Sequence, residues 1–418
     1  MTHGQRESTL DEMLADPIIQ QMMRCDGVSG EDVRRIMARV DAAFFNGSRP
    51  APEPEGAVGI LRPRPKRSCD PNATPRVKGG VTKQREIGMT SDFPRLDPRE
   101  EHFRVPGPHP ALKLFLRRLP ALHPIGANPV LYVHGATFPS ALSVAHRFDG
   151  VSWRDALNEA GFDVWALDFH GFGYSDRYEA MDEAAGEHAP LCDAQDASDQ
   201  IAAAARFILE HRGAARLSLV SHSWGSIPTG LFAGEHPAMV DRWVLFGPIA
   251  RRPPPEGDAP EPAPGQAWRV ITVEDQWKRF VEDVPAGQPP VLSRQHFDAW
   301  AQLYLDSDES GRVRNPAGVK VPAGPAVDIA RAWRGEFAYD PALVQAPVAL
   351  IRGEWDGIIP DEDARWLFDA FTASPIKRDI KISRATHLMH LETMRYALYR
   401  ETNTFLLGAD QAPSPQTA

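Results

Sequence analysis

The sequence predicts an α/β protein with a mostly parallel, doubly wound sheet, a helical insert and an N-terminal extension. Three observations carry that prediction. Short apolar runs alternate with helical patterns beyond residue 112. The alternation stops over 249–345 and then resumes. Ahead of it, residues 49–88 have almost no apolar periodicity. The 418 residues are enough for one large domain with additions, or for two domains.

Taken in order, residues 1–48 carry two helical patterns, LDEMLADPIIQQMMRC and GEDVRRIMARVDAAFF, which predict a helical hairpin extension. Residues 49–88 read as a flexible, Pro-rich basic linker. Seven prolines fall between Pro50 and Pro75, and Lys/Arg outnumber Asp/Glu by nine to four, so the stretch has little apolar surface with which to order itself. A docking site for an acidic partner is the alternative reading.

The first part of the core is expected over 89–248. LKLFLRRL (112–119) reads as a strand with a partly wet polar face, PVLYVHG (129–135) as a buried strand and SWRDALNEAG (152–161) as a helix closed by glycine. DVWALDF (163–169) is the next strand, and a helix runs from Ala194 to Arg212 and stops at Gly213. The strand LSLV and then RWVLFGP (242–248) follow. Residues 249–345 are expected to form a helical cap, with helices around 275–284, 293–306 and 327–334. The core resumes over 346–408 with APVALIRG, the helix DEDARWLFDAF, the strand IKRDIKIS and a last helix. Residues 409–418 read as a polar tail.

Composition excludes several classes. A net charge of -10 argues against general nucleic-acid binding. Cys25, Cys69 and Cys192 have no C-x-x-C spacing, and no His/Cys/Asp cluster has ligand spacing, so neither disulfides nor a metal or organic cofactor is expected. The N-terminus lacks a signal-peptide pattern and no apolar run is long enough to span a bilayer, which predicts a cytoplasmic protein without membrane attachment.

In an open parallel sheet, reactive groups gather at the carboxyl ends of the strands. His134-Gly135-Ala136-Thr137 stands at one such end, HGFGYSD at the next, and Ser223 after LSLV. Glu354-Trp355-Asp356 and Ala385-Thr386-His387 follow the last two strands. Ser221-His222-Ser223-Trp224-Gly225 is a G-x-S-x-G elbow with Ser for the first Gly. Such a turn lifts the central hydroxyl above the sheet and leaves the next N–H free at a helix start.

With these residues in place, the chain resembles the α/β-hydrolases over about residues 100–408. HGATFPS matches their oxyanion loop, DFHGFGYSD their D-x-x-G-x-G-x-S-D stretch, SHSWG the elbow, GEWDGIIP the acid turn and HLMHLE the closing histidine motif. The resemblance implies Ser223 as nucleophile, Asp356 as acid, His387 as base, and the N–H groups of Ala136 and Trp224 as oxyanion donors. Glu354 for the acid and His390 for the base are the rival assignments. His134 is expected to brace the oxyanion loop, and Asp168 and Asp176 to stabilise the GFGYS turn.

The implied function is hydrolysis of a small-molecule carboxylic ester through an acyl-enzyme. A proline-releasing aminopeptidase or amidase, suggested by Ser-Trp-Gly-Ser at 223–226, is the alternative, although HGATFPS departs from the HGGPG loop of that family. A ligand-binding receptor or scaffold with little turnover is the alternative of another class. Candidate substrate contacts are Thr137, His222, Trp277 and Trp300. His170 and His222 sit on turns, where exposure is the simpler expectation. The cap aromatics Trp268, Trp277, Trp300 and Trp333, with Phe280, Phe297 and Tyr304, suit the cap's own core at helical spacing, and some are expected to face the cleft, suiting an apolar acyl or aromatic substrate.

Overall fold

A computed structural model describes residue 34 and residues 93–126, 128–254 and 265–408. The chain divides into two units, Met1–Val81 and Thr82–Ala418. Apart from Arg34, which is helical, the expected hairpin and linker lie outside the described residues, as does the tail.

The second unit is built on eight strands: β1 Glu101–Pro106, β2 Lys113–Leu119, β3 Val130–Val133, β4 Val164–Asp168, β5 Leu217–His222, β6 Val240–Phe246, β9 Val348–Gly353 and β10 Lys377–Ile382. Their order is β1-β2-β4-β3-β5-β6-β9-β10, with β2 antiparallel to both neighbours and every other pair parallel. The chain runs outward from β3 to β4 and then returns to place β5 on the other side of β3. That switch point opens a crevice between the ends of β3 and β5.

Helices cover both faces. On one side α1 Trp153–Glu159 and α8 Arg395–Leu406 bury Trp153, Leu157, Leu398 and Phe405 against Tyr132, Val220 and Val244. On the other, α2 Ala194–Arg212, α3 Ser226–Glu235 and α7 Asp361–Ala370 bury Ile201, Ile208, Ile227, Phe232 and Leu367. Local signals set the ends: Ser152 and Asp155 form a capping box on α1, and Gly213 closes α2 at φ 60°.

β1 has no counterpart among the expected strands. EHFRVP alternates weakly and ends in proline, which only an edge strand accepts easily. Its presence overturns the partly wet face expected of β2, where Leu114 to Leu119 are all buried. Glu100 explains how Arg117 can be among them. Its carboxylate accepts from Arg117 Nη1 at 2.6 Å, Arg154 Nη1 at 2.9 Å and His102 Nε2 at 2.7 Å, and all four side chains are fully buried. Burial alone would raise the Glu100 pKa, but the His102 hydrogen bond and the charges of Arg117 and Arg154 outweigh it and hold the group at about 2.

The insert between β6 and β9 is not purely helical. It holds α4 Val273–Val281, α5 Arg294–Asp306 and α6 Gly324–Ala332, together with an antiparallel ribbon of β7 Trp268–Thr272 and β8 Gly318–Pro322. The ribbon escapes local pattern reading because two helices separate its strands in sequence. Among the described residues, no helix is long and apolar enough to cross a membrane.

Candidate active site

The elbow begins where β5 ends. Ser223 adopts φ 55°, a left-handed conformation that is strained for a side-chain-bearing residue, and α3 starts three positions later. Gly225 cannot be replaced freely, since a Cβ there would lie 2.4 Å from the His134 carbonyl oxygen. Ser221 is tolerated at the position of the first glycine because the side chain of β6 meets it: Trp243 Nε1 donates to Ser221 Oγ at 2.8 Å. Ser226 Oγ donates to the Ser223 carbonyl at 2.7 Å and accepts from Ile249 N–H at 3.1 Å, tying the elbow to the chain after β6.

Residues after three strands converge on one row. Ser223 Oγ lies 2.8 Å from His387 Nε2, and His387 Nδ1 lies 3.0 and 3.1 Å from the two Asp356 oxygens. A carboxylate only accepts, so Nδ1 carries the proton and Nε2 is free to accept from the serine hydroxyl. Asp356 Oδ1 also accepts from Ile358 N–H at 2.9 Å, which fixes the carboxylate. All three residues are buried. Glu354 is exposed and turned elsewhere, accepting from Arg384 N–H at 2.9 Å. His390 lies on the 3₁₀ turn Met389–Leu391, buried, with Nε2 3.2 Å from Ser143 Oγ.

The histidine loop is itself held. Glu392 accepts from the Thr386 N–H at 3.1 Å and from the Thr386 hydroxyl, and burial pushes its carboxyl up to about 7 despite those bonds. His222 donates from Nε2 to the His387 carbonyl at 3.1 Å. Burial, followed by His390 and His387, pulls its pKa well below the ordinary value, so the ring is neutral. The exposure expected for His222 and His170 is therefore wrong. His222 is covered by the His387 loop and stacks on Phe246 with centroids 4.7 Å apart, while His170 packs edge-on to His109 and Tyr178.

The loop after β3 is braced from both ends. His134 Nδ1 donates to the Gly135 carbonyl at 2.7 Å and its Nε2 accepts from Phe169 N–H at 3.1 Å. Asp168 does more than steady its own turn. It accepts from Tyr174 N–H at 3.1 Å, and also from the N–H and hydroxyl of Ser140 at 2.9 and 2.5 Å. Arg117 Nε donates to that hydroxyl at 2.9 Å, so the buried charges under β1 and β2 continue into the HGATFPS loop. Asp176 accepts from Lys113 N–H at 2.7 Å and pairs with Arg104.

A cavity of ≈ 160 Å³ stands over Ser223. Gly135, Ala136, Thr137, His222 and His387 line it beside the serine, Ile249, Ile358 and Leu388 wall it, and the insert contributes Arg269, Arg279, Ile329 and Trp333. Trp277 and Trp300 are not among its lining. Trp300 is fully buried, packed on Phe280 and Tyr304 with its Nε1 donating to the Leu142 carbonyl at 2.9 Å, and Trp277 packs on Phe297. Trp224 points away from the cavity; its Nε1 donates to Asp328 Oδ2 on α6 at 2.9 Å.

Sequence reading passed over Arg269 and Arg279 and did not single out Trp333. Trp333 stood among the cap aromatics with nothing local to set it apart, and a lone arginine on a strand or helix carries no pattern. Among the described residues, Glu183, Glu187 and His188 bring three metal-type ligand atoms within 4.8 Å of one another, but none lines the cavity and the two glutamates are exposed.

The family model for the alpha/beta hydrolase fold matches residues 128–393. A serine hydrolase from the polyaromatic-hydrocarbon-degrading bacterium Cycloclasticus zankles is similar in structure, with a TM-score of 0.51 and 18% identity, over 75% of this chain and 100% of that one. A membrane phospholipase A described as a bacterial virulence factor has a TM-score of 0.50 and 18% identity, over 75% of this chain and 88% of its own. At this identity the likeness concerns the fold. No curated protein matches the sequence.

Proposed function

This chain belongs to the α/β-hydrolase family, and from that premise we propose that it is a serine hydrolase cleaving a small carboxylic ester through an acyl-enzyme. The observation that carries the reading is the continuous row from Ser223 Oγ through His387 to Asp356, with contacts of 2.8 and 3.0 Å. A serine hydroxyl is a weak nucleophile until a neutral imidazole takes its proton, and a carboxylate on the far ring nitrogen holds the ring in the tautomer that can do so.

In the acylation step Ser223 Oγ bonds to the ester carbonyl carbon while its proton passes to His387 Nε2. The oxyanion that forms is held by the N–H groups of Ala136 and Trp224, each worth roughly 3 kcal/mol. Collapse breaks the bond to the alcohol oxygen, which leaves with the proton from His387. A water then repeats the sequence on the acyl-enzyme, giving its proton to His387 and releasing the acid and free Ser223. Ser226, the last residue of the Ser-Trp-Gly-Ser stretch that suggests the peptidase reading, bridges with its hydroxyl the Ser223 carbonyl and the Ile249 N–H and so has a structural use.

The test is a turnover panel on the full chain: para-nitrophenyl esters of increasing acyl length set against aminoacyl amides. Short-chain esters should be hydrolysed well above the amides, and Ser223→Ala should reduce ester kcat by at least about 10³. Amide turnover exceeding that of every ester would replace this reading with the peptidase one.

A further inference from the structure

The cavity over Ser223 is lined by two arginines and, among the described residues, by no Asp or Glu. The arginines differ in what answers their charge. Arg279 donates to Glu282 at 2.7 Å and to Asp283 at 3.0 Å within its own stretch of chain. Arg269, on β7, forms no ion pair among the described residues, and its Nε is buried without a hydrogen-bond partner. Burial is the largest influence on it and works against its charge. Trp333, also in the lining, is partly buried and its Nε1 has no hydrogen-bond partner among the described residues.

Arg269 as a whole is only partly buried and feels the charge of Asp275, but no carboxylate among the described residues hydrogen-bonds it, so its guanidinium is available to an anion in the cavity that it lines. The planar guanidinium of Arg269 matches the two oxygens of a carboxylate. The volume of ≈ 160 Å³, close to the cavity of about 150 Å³ that holds a benzene ring, has room for one small side of an ester, and the partly open mouth leaves the other side free to extend outward. Ile249, Ile329, Ile358 and Leu388 make the remaining wall apolar.

We propose that the ester this site accepts carries a free carboxylate on a small acid or ring, held by the Arg269 guanidinium beside Trp333 while Ser223 reaches the ester carbonyl. The position of the ester rests on the serine hydrolase reading above; the anion site itself does not need Ser223. Arg269 is then the residue that determines specificity, since Glu282 and Asp283 already answer the charge of Arg279.

Matched pairs of substrates test this on the full chain, with the uncatalysed rate subtracted. One pair places the charge on the acyl side, mono-para-nitrophenyl succinate against para-nitrophenyl pentanoate. The other places it on the leaving group, para-acetoxybenzoate against para-acetoxybenzamide. The charged member of at least one pair should be preferred in kcat/KM by about tenfold or more, mainly through KM, and the preference should shrink as salt is added. Arg269→Gln should bring that ratio close to one, and Arg269→Lys should keep part of it. Equal or neutral preference in both pairs, or an unchanged ratio in Arg269→Gln, overturns the proposal. If no ester is turned over, calorimetric titration of Ser223→Ala with monomethyl succinate and methyl butyrate decides separately. Tighter binding of monomethyl succinate, weakened about tenfold by adding Arg269→Gln, supports the anion site while the hydrolase reading fails. No binding of monomethyl succinate overturns the site as well.

Discussion

Asp356 and Glu354 stand two positions apart on one turn, yet only Asp356 meets the His387 ring, while Glu354 caps the Arg384 N–H. Asp356→Asn should therefore leave folding intact and present the wrong ring nitrogen to Ser223, a change that costs serine proteases about 10⁴ in turnover. Glu354→Gln should cost less than about tenfold by the same logic, and His390→Ala much less than His387→Ala. The comparison is esterase kcat on samples with matching melting temperatures; a larger loss in Glu354→Gln than in Asp356→Asn would reverse the assignment. At this scale the sequence was informative wherever a residue sits at a strand end, because a strand end fixes position along the sheet. It was silent where burial depends on distant chain. His222 looks like a turn residue locally, and only the return of the His387 loop from far downstream covers it.

A hydrogen bond ties the elbow to α6 of the insert, from Trp224 beside Ser223 to Asp328. Burial raises the Asp328 carboxyl from 3.8 to about 7, with the Trp224 bond opposing the shift. Because the folded-state value lies above the unfolded one, the folded chain holds the extra proton in between. This contribution to stability is fully present below about pH 4 and is lost as pH rises through about 7. Glu392, raised from 4.5 to about 7, acts in the same direction. Asp328→Asn keeps an acceptor for Trp224 and removes the charge, so its melting temperature should fall less than that of the parent between about pH 5 and about pH 8. Parallel curves would remove Asp328 from this account. A second prediction belongs to the elbow: Gly225→Ala forces a methyl into the His134 carbonyl and should lower stability by about 1–3 kcal/mol, read by denaturant unfolding. The regular elements of the core were legible because each apolar run or amphipathic stretch announces itself locally, as LSLV and the Ala-rich α2 do. The β7–β8 ribbon was not, since Thr272 pairs with Gly318 across two helices and neither strand has an independent signal.

Across the whole molecule, buried charge links the sheet edge to the site: Glu100 holds Arg117, Arg117 holds Ser140, and Ser140 is fastened to Asp168 beneath the HGATFPS loop. Glu100→Gln strips the counter-charge from two buried guanidinium groups and should cost about 3–5 kcal/mol in unfolding free energy. That network was hidden in the sequence because EHFRVP carries no clear strand signal and LKLFLRRL reads as a half-wet strand until the two pair. The five motifs around the crevice were legible, whereas the specificity-bearing wall, with Arg269, Arg279 and Trp333, comes from the insert, whose path no motif constrains. Ala136, Ser223, Asp356 and His387 follow strands spread from Val130 to Ile382, which only the folded sheet brings to one end, β3 beside β5 and β9 beside β10 with β6 between the two pairs, so the reactivity proposed for Ser223 is a property of the whole fold. Its most direct measurement is peptide mapping by mass spectrometry after reaction with a fluorophosphonate probe, on the native chain, the urea-unfolded chain and Ser223→Ala. The account predicts one adduct, on Ser223, in the native chain and none in the other two. An adduct on another residue, or labelling that persists in Ser223→Ala, would contradict it.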